Sequence, residues 1–167
     1  MLVTNKKAFT MIELIFVIVV IGILASVALP RLAATRTDAV LVKGKSTVAS
    51  IRSAISIEKG LRLMRGDSGY PEILDDANIN EDNQELFDGN DTDTVGVDPS
   101  DIISILDNPI LSGTNSGNWM KISKIPNPIQ YVFYVEGDQN VTFTYNPTRG
   151  SFNCDRTADR WCEDLIK

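Results

Sequence analysis

Histidine is absent from this 167-residue sequence. It is the side chain most often used for proton transfer near neutral pH, and it is a frequent metal ligand. The sequence also shows no recognisable pairing of a nucleophile with a base, the arrangement on which covalent catalysis depends. We therefore predict that the protein is not an enzyme and has no catalytic residues.

Positive charge is scarce, because 16 Lys and Arg residues face 22 Asp and Glu residues and give a formal net charge of −6. Proteins that bind nucleic acids or anionic lipids use clustered Lys and Arg. The composition therefore gives no support for a nucleic acid as a partner.

Cysteine occurs only twice, at Cys154 and Cys162, eight positions apart in a polar stretch. In an oxidising compartment the two would pair. A closed loop of that length stabilises a small domain by about 2–3 kcal/mol. The alternative is two free thiols.

One long apolar run lies near the N-terminus. Residues 14–29 carry no charge, and Glu13 is the only charged residue between Phe9 and Pro30. As a helix, this stretch would be about 33 Å long, enough to cross the hydrocarbon core of a bilayer. Lys6 and Lys7 precede the run, which favours a cytoplasmic N-terminus under the positive-inside tendency.

A secretory signal peptide also combines a basic start with an apolar stretch. Small residues occur at 25–28, but no convincing cleavage site ends the apolar run, and the pattern after Pro30 continues as a helix. This favours a retained membrane helix over a signal peptide that is cleaved there.

Glu13 is out of place in this segment, because a carboxylate in hydrocarbon costs several kcal/mol without a partner. One interpretation is that Glu13 lies only six positions after Lys7 and remains at the level of the headgroups. The other is that cleavage before Phe9 creates a free amine, which a neighbouring subunit presents to Glu13.

Residues 6–14 read Lys-Lys-Ala-Phe-Thr-Met-Ile-Glu-Leu. A basic leader, a small residue and then Phe-Thr-x-x-Glu opening an apolar helix resembles the prepilin peptidase recognition motif of type IV pilins and type II secretion pseudopilins. The resemblance implies a leader at 1–8, cleavage between Ala8 and Phe9, N-methylation of Phe9, and pairing of Glu13 with an adjacent subunit's terminus. The family usually has Gly where this chain has Ala8.

Gly22 and Pro30 match the glycine and proline that are typical of the family's N-terminal helix. Each residue weakens a helix interior, so both are candidate hinges. Close packing of helices in the membrane explains Gly22 equally well.

Residues 31–65 predict an amphipathic continuation of the helix beyond the apolar segment at 9–30. One stripe recurs at helical spacing and would face a head domain. Its members are Val40, Val48, Ile51 and Ile55.

Residues 66–118 predict a variable polar loop region, because Asp, Asn, Gly and Ser are frequent and apolar periodicity is weak. Oxygen-bearing residues at Asp88, Asp91 and Asp93 suit a hard cation such as calcium. A solvated turn is the alternative that we favour, so we predict no cofactor. The pair Asp75 and Asp76 is also predicted to be part of a solvated loop.

Residues 119–167 predict an antiparallel sheet followed by a cysteine-closed loop, since short alternating runs are separated by turn residues. The predicted strands are 119–125, 129–135, 141–145 and 151–154. The apolar face would have residues such as Tyr131, Phe133, Val141 and Phe143, while the pattern leaves open which member of each aromatic pair faces inward. By resemblance, closure of Cys154 on Cys162 is similar to the C-terminal disulfide region of type IV pilins.

These elements predict an α+β fold of the type IV pilin kind, with a long N-terminal helix whose amphipathic half packs on a small C-terminal antiparallel sheet. The resemblance implies a structural subunit that polymerises with identical or homologous pilin subunits after processing by prepilin peptidase and handling by inner-membrane assembly machinery. It also implies a single-pass precursor in the bacterial inner membrane, with the N-terminus cytoplasmic and the head periplasmic, and then a periplasmic or cell-surface filament.

Several functional alternatives remain open. The head length and the predicted disulfide favour a type IV pilus pilin over a type II secretion pseudopilin. A minor pilin or competence subunit and a membrane-anchored periplasmic binding protein are further alternatives.

Overall fold

A computed structural model describes residues 9–89, 105–124 and 128–167, except for the side chains of residues 30–34. The chain divides into two compact units at the boundary between Asp38 and Ala39. One helix, α1, runs over Met11–Met64. Its first part belongs to the N-terminal unit, and the part from Ala39 onward belongs to the C-terminal unit, here called the head.

The head contains a four-stranded antiparallel meander in the order β3-β4-β5-β6. The strands are β3 (Trp119–Ser123), β4 (Ile129–Glu136), β5 (Gln139–Asn146) and β6 (Ser151–Cys154). All four predicted strands are thereby confirmed. Tight turns join β4 to β5 and β5 to β6, and Gly137 and Gly150 within them have positive φ angles of 53° and 62°.

Two shorter strands come from the stretch that the sequence predicts as a polar loop region. Strand β1 (Glu85–Leu86) pairs antiparallel with β2 (Ile110–Leu111). A parallel bridge from Ser112 to Trp119 links this pair to the start of β3. The ribbon β1-β2 therefore lies beyond the β3 edge of the meander.

The core of the head forms where α1 covers one face of the sheet. Val48, Ile51 and Ile55 of the predicted stripe are buried, while Val40 is partly buried against the same cluster. The sheet contributes inward-facing aromatic and aliphatic side chains, as the alternation of period two predicts. They include Trp119, Tyr131, Phe133, Val135, Val141, Phe143, Tyr145 and Phe152.

Gly44 marks the closest approach of the helix to this core. A Cβ atom placed on Gly44 would lie 2.5 Å from Cε1 of Phe133 and 2.7 Å from Cδ2 of Leu165. Leu165 belongs to a short C-terminal helix, α2 (Cys162–Ile166). The absence of a side chain at position 44 therefore allows α1, β4 and α2 to meet. The predicted α+β fold, with a long helix packed on a small antiparallel sheet, is confirmed.

Candidate assembly site

Thr10 begins α1 in the manner of a helix N-cap. Its hydroxyl oxygen accepts a hydrogen bond from the backbone N–H of Glu13 at 3.3 Å, and its carbonyl accepts one from the N–H of Leu14 at 3.3 Å. This geometry places Glu13 at the third helical position, within the first turn, where the helix dipole favours a carboxylate. The Thr-x-x-Glu spacing that signals such a cap was present in the sequence.

Apart from Ser26, the side chains of the helix that follow Glu13 up to Leu29 are apolar on all sides. Met11–Leu29 is long and apolar enough to cross a membrane, and none of it is buried by the described residues of this chain. Leu, Ile, Val and Phe side chains each gain about 1.5–3 kcal/mol when they are removed from water. A helix of this kind is stable only in lipid or against other apolar helices. Glu13 is its only charged residue.

The structure describes only some of the other residues of the predicted N-terminal site. Phe9 is described and is exposed, whereas Ala8, on the other side of the predicted cleavage bond, lies outside the described residues. The helix assignment continues through Gly22 and Pro30. A Cβ atom on Gly22 would meet none of the described residues within 4 Å, so no contact among them requires glycine there. The hinge and the packing interpretations both stay predictions.

The head carries the second predicted feature, the disulfide. Cys154 at the end of β6 is bonded to Cys162 at the start of α2, with 5.8 Å between the two Cα atoms. The bond holds the five-residue helix α2 beside the sheet, where Leu165 reaches the core. The predicted pairing is confirmed, and the alternative of two free thiols is wrong.

Asp75 lies in the core, and the prediction that it belongs to a solvated loop is therefore wrong. Its carboxylate is fully buried and forms an ion pair with Nζ of Lys121 at 2.8 Å. The hydroxyl of Tyr131 donates to the other carboxylate oxygen at 2.7 Å, and the N–H of Phe87 donates to that oxygen at 3.1 Å. Asp76 is exposed, as predicted.

This network fastens the polar segment before β1 to the sheet. Nζ of Lys121 also donates to the backbone carbonyl of Asp75 at 2.9 Å, so the ammonium has two acceptors on one residue. Burial, together with the nearby Asp75 carboxylate, raises the pKa of Tyr131 well above its usual value. No local sequence pattern signals this pairing, because the two charged partners are 46 residues apart.

The candidate calcium ligands are only partly described. Asp88 is described, while Asp91 and Asp93 lie outside the described residues. Within residues 9–89, 105–124 and 128–167, no group of three or more acidic or cysteine side chains is placed so that it could hold a metal ion.

Comparison with known proteins identifies the class of the N-terminal segment. Residues 3–29 match the family model of the prokaryotic N-terminal methylation motif. This match confirms the prepilin-type motif that the sequence resembles, and it covers the residues around Glu13 and the apolar helix.

A curated relative extends the similarity. Over 53 residues the chain is 45% identical to the type IV narrow pilus major component PilA5 of Thermus thermophilus. The aligned part is 32% of this chain, and the chain spans 46% of that relative's length. No solved structure matches the chain significantly.

Proposed function

We propose that this chain is a structural subunit that polymerises into a type IV pilus or a pilus-like filament through its N-terminal helix, and that it performs no reaction of its own. The observation that carries the proposal is the exposed apolar helix Met11–Leu29, which lies within the methylation motif matched at residues 3–29. A soluble monomer would leave this surface in water, whereas a membrane and then a bundle of identical helices would cover it.

Glu13 supplies the specificity that apolar contacts lack. Lipid tails and neighbouring apolar helices are similarly favourable surroundings for Leu and Ile, so burial alone does not draw the helix out of the membrane. A carboxylate gains from leaving hydrocarbon for a site with a positive partner. The new amine of Phe9 in an adjacent copy is that partner, once the leader has been removed after Ala8.

Thr10 supports this role by fixing where the helix begins. With the cap in place, Glu13 stays within one helical turn of Phe9, which is the processed terminus in this proposal. The amine of one copy and the carboxylate of the next can then meet at similar depth if the helices are staggered along the filament axis.

The precursor is a single-pass protein of the bacterial inner membrane. Lys6 and Lys7 favour retention of the N-terminus in the cytoplasm, which places the head in the periplasm. The bond between Cys154 and Cys162 suits that oxidising compartment. Prepilin peptidase and an inner-membrane assembly machinery are the partners that this route requires.

A surface pilus is favoured over a secretion pseudopilus, because the curated relative is the major component of a pilus. Deletion of the gene separates the two. Loss of extended surface filaments supports the pilus, whereas accumulation of secreted substrates in the periplasm supports the pseudopilus.

Processing is tested first, by intact-mass analysis of the chain purified from membranes and from sheared filaments. The expected mature chain begins at Phe9 and carries one methyl group on its amine. A chain that retains Met1 in every fraction contradicts the proposal.

The role of Glu13 is tested with Glu13→Gln, which removes the charge and preserves the side-chain shape. Membrane insertion should persist, while filament yield should fall by about tenfold or more, because the carboxylate–amine attraction in a low dielectric is lost. Ser26→Ala is the matched control, since Ser26 is a polar residue of the same helix whose hydroxyl donates only to the carbonyl of Ile23 at 2.7 Å. Normal filament yield from the Glu13→Gln chain would refute the role of Glu13.

A further inference from the structure

Charge is strongly segregated along the head. No Lys or Arg occurs between Arg65 and Lys121, although more than half of the 22 acidic residues lie in that interval. Lys121 of β3 is buried against Asp75, and Arg62 of α1 pairs with Asp67. Most of the acidic residues of this segment that the structure describes are exposed.

Part of this charge lies at one edge of the sheet, which we call the acidic edge and define by Glu81, Asp82 and Glu85. All three side chains are exposed. Hydrogen bonds hold the segment there, since the backbone N–H of Asn80 donates to the carbonyl of Lys121 and the hydroxyl of Ser112 donates to the carbonyl of Glu81. Glu85 belongs to β1, which contacts β3 and pairs with β2.

Basic side chains lie at the opposite edge of the sheet. Nε of Arg52 donates to the carbonyl of Phe152 in β6 at 2.9 Å, and Nη2 donates to Oδ1 of Asn153 at 2.8 Å. The pKa of Arg52 is lowered, first by the burial of its own side chain and then by the positive charge of Arg156, which comes soon after β6. Lys45 lies two helical turns before Arg52 on the same flank of α1 and is exposed.

We call Lys45, Arg52 and Arg156 the basic flank. Within the described residues, no carboxylate forms an ion pair with any of these three side chains. Three acidic residues of the C-terminal segment have other partners: Asp155 accepts from Thr157, Asp159 accepts from the N–H of Thr142, and Glu163 pairs with Lys167. The head thus holds Arg52 and Arg156 close together, with no ion-pair partner for either among the residues that the structure describes.

We propose that the acidic edge of one copy of this chain docks on the basic flank of the next copy, so that the heads associate head-to-tail. Opposite charges on opposite edges of one sheet cannot satisfy each other within a single head. A two-fold symmetric dimer through either patch would place like charges together, which is unfavourable. Contact between two different patches is a heterologous interface, which repeats into an open chain of subunits.

This inference rests on the proposed filament and specifies how its outer layer is ordered. The N-terminal helices would provide most of the binding energy, while the two charged patches would set orientation and register. Because the charges are exposed, the contact should weaken as salt shortens the screening length to about 8 Å at 0.15 M and about 3 Å at 1 M.

Charge reversal in the full chain tests the proposal by filament yield from cells. One variant carries Lys45→Glu and Arg156→Glu, and the other carries Asp82→Lys and Glu85→Lys. None of these four side chains has a hydrogen bond or ion pair in the described structure, so folding should be retained, as checked by soluble yield of the disulfide-bonded chain in detergent. Each variant alone should lower filament yield by about tenfold, since it places like charges at every contact.

Rescue provides the decisive result. Co-expression of the two variants should restore filaments in which the copies alternate, because the reversed flank of one then meets the reversed edge of the other. The chain with all four reversals should also assemble. The matched control, Asp138→Lys with Arg149→Glu at the two sheet turns, should assemble like the unaltered chain.

Three results would overturn the inference and leave the proposed function standing. They are normal filaments from both variants, failure of co-expression to restore assembly, and tight binding of duplex DNA that is lost on Lys45→Glu and Arg156→Glu while filament yield is unchanged. Failure of the unaltered chain to form filaments at all would instead count against the proposed function itself.

Discussion

The buried pair of Asp75 and Lys121 allows a sharp prediction about stability. Asp75→Ala would leave the ammonium of Lys121 with only the backbone carbonyl of residue 75, although the side chain is just 3% exposed. It would also remove the acceptor of the Tyr131 hydroxyl and of the Phe87 N–H. Removal of one member of a buried ion pair typically costs about 3–5 kcal/mol.

That loss should lower the Tm of the full chain in detergent by about 6–20 °C, at about 2–4 °C for each kcal/mol. Near-ultraviolet circular dichroism is a suitable probe, because Trp119 is packed in the same core against Phe133 and Phe143. The control is Asp76→Ala at the exposed neighbour, for which we expect a change within about 0.5 kcal/mol.

A paired substitution separates charge from packing. Asp75→Leu with Lys121→Met removes both charges and retains apolar volume, so it should cost clearly less than Asp75→Ala alone. An unchanged Tm for Asp75→Ala would refute the argument, since it would mean that the carboxylate is solvated and contributes nothing to the head.

Three further predictions concern the same head. Cys154→Ser with Cys162→Ser should destabilise it by about 2–3 kcal/mol in the chain-entropy account, and a reductant should lower the Tm of the parent chain but not of this variant. Gly44→Ala should cost about 1–3 kcal/mol in a denaturant titration through crowding of Phe133 and Leu165, whereas Gly60→Ala, with open space around it, should be neutral or stabilising. Burial raises the pKa of both Tyr131 and Tyr145 above 10, so above pH 10 the folded head keeps protons that the unfolded chain releases. The free energy of unfolding should therefore be constant just below pH 10 and should fall above it by about 1.4 kcal/mol per pH unit for each tyrosine. An unchanged free energy of unfolding up to pH 11 would contradict this.

The sequence alone determined the features that depend on local pattern. The apolar run after Glu13, the prepilin-type motif and the long helix were readable because each depends on neighbouring residues and on helical or membrane dimensions. The meander was readable too, since period-two alternation and turn residues bound every strand from Trp119 to Cys154. The two cysteines could be assigned to each other only if the compartment was oxidising.

Only the tertiary structure decided which charged residues are neutralised inside the head and which remain on its surface. Asp75 and Asp76 are adjacent and chemically identical, yet Asp75 is buried in an ion pair with Lys121 and Asp76 is exposed. The acidic edge and the basic flank likewise arise because the strand order separates β1 from β6. Such pairings form between residues distant in the chain, and no local periodicity encodes them, because they depend on how the sheet and helix pack.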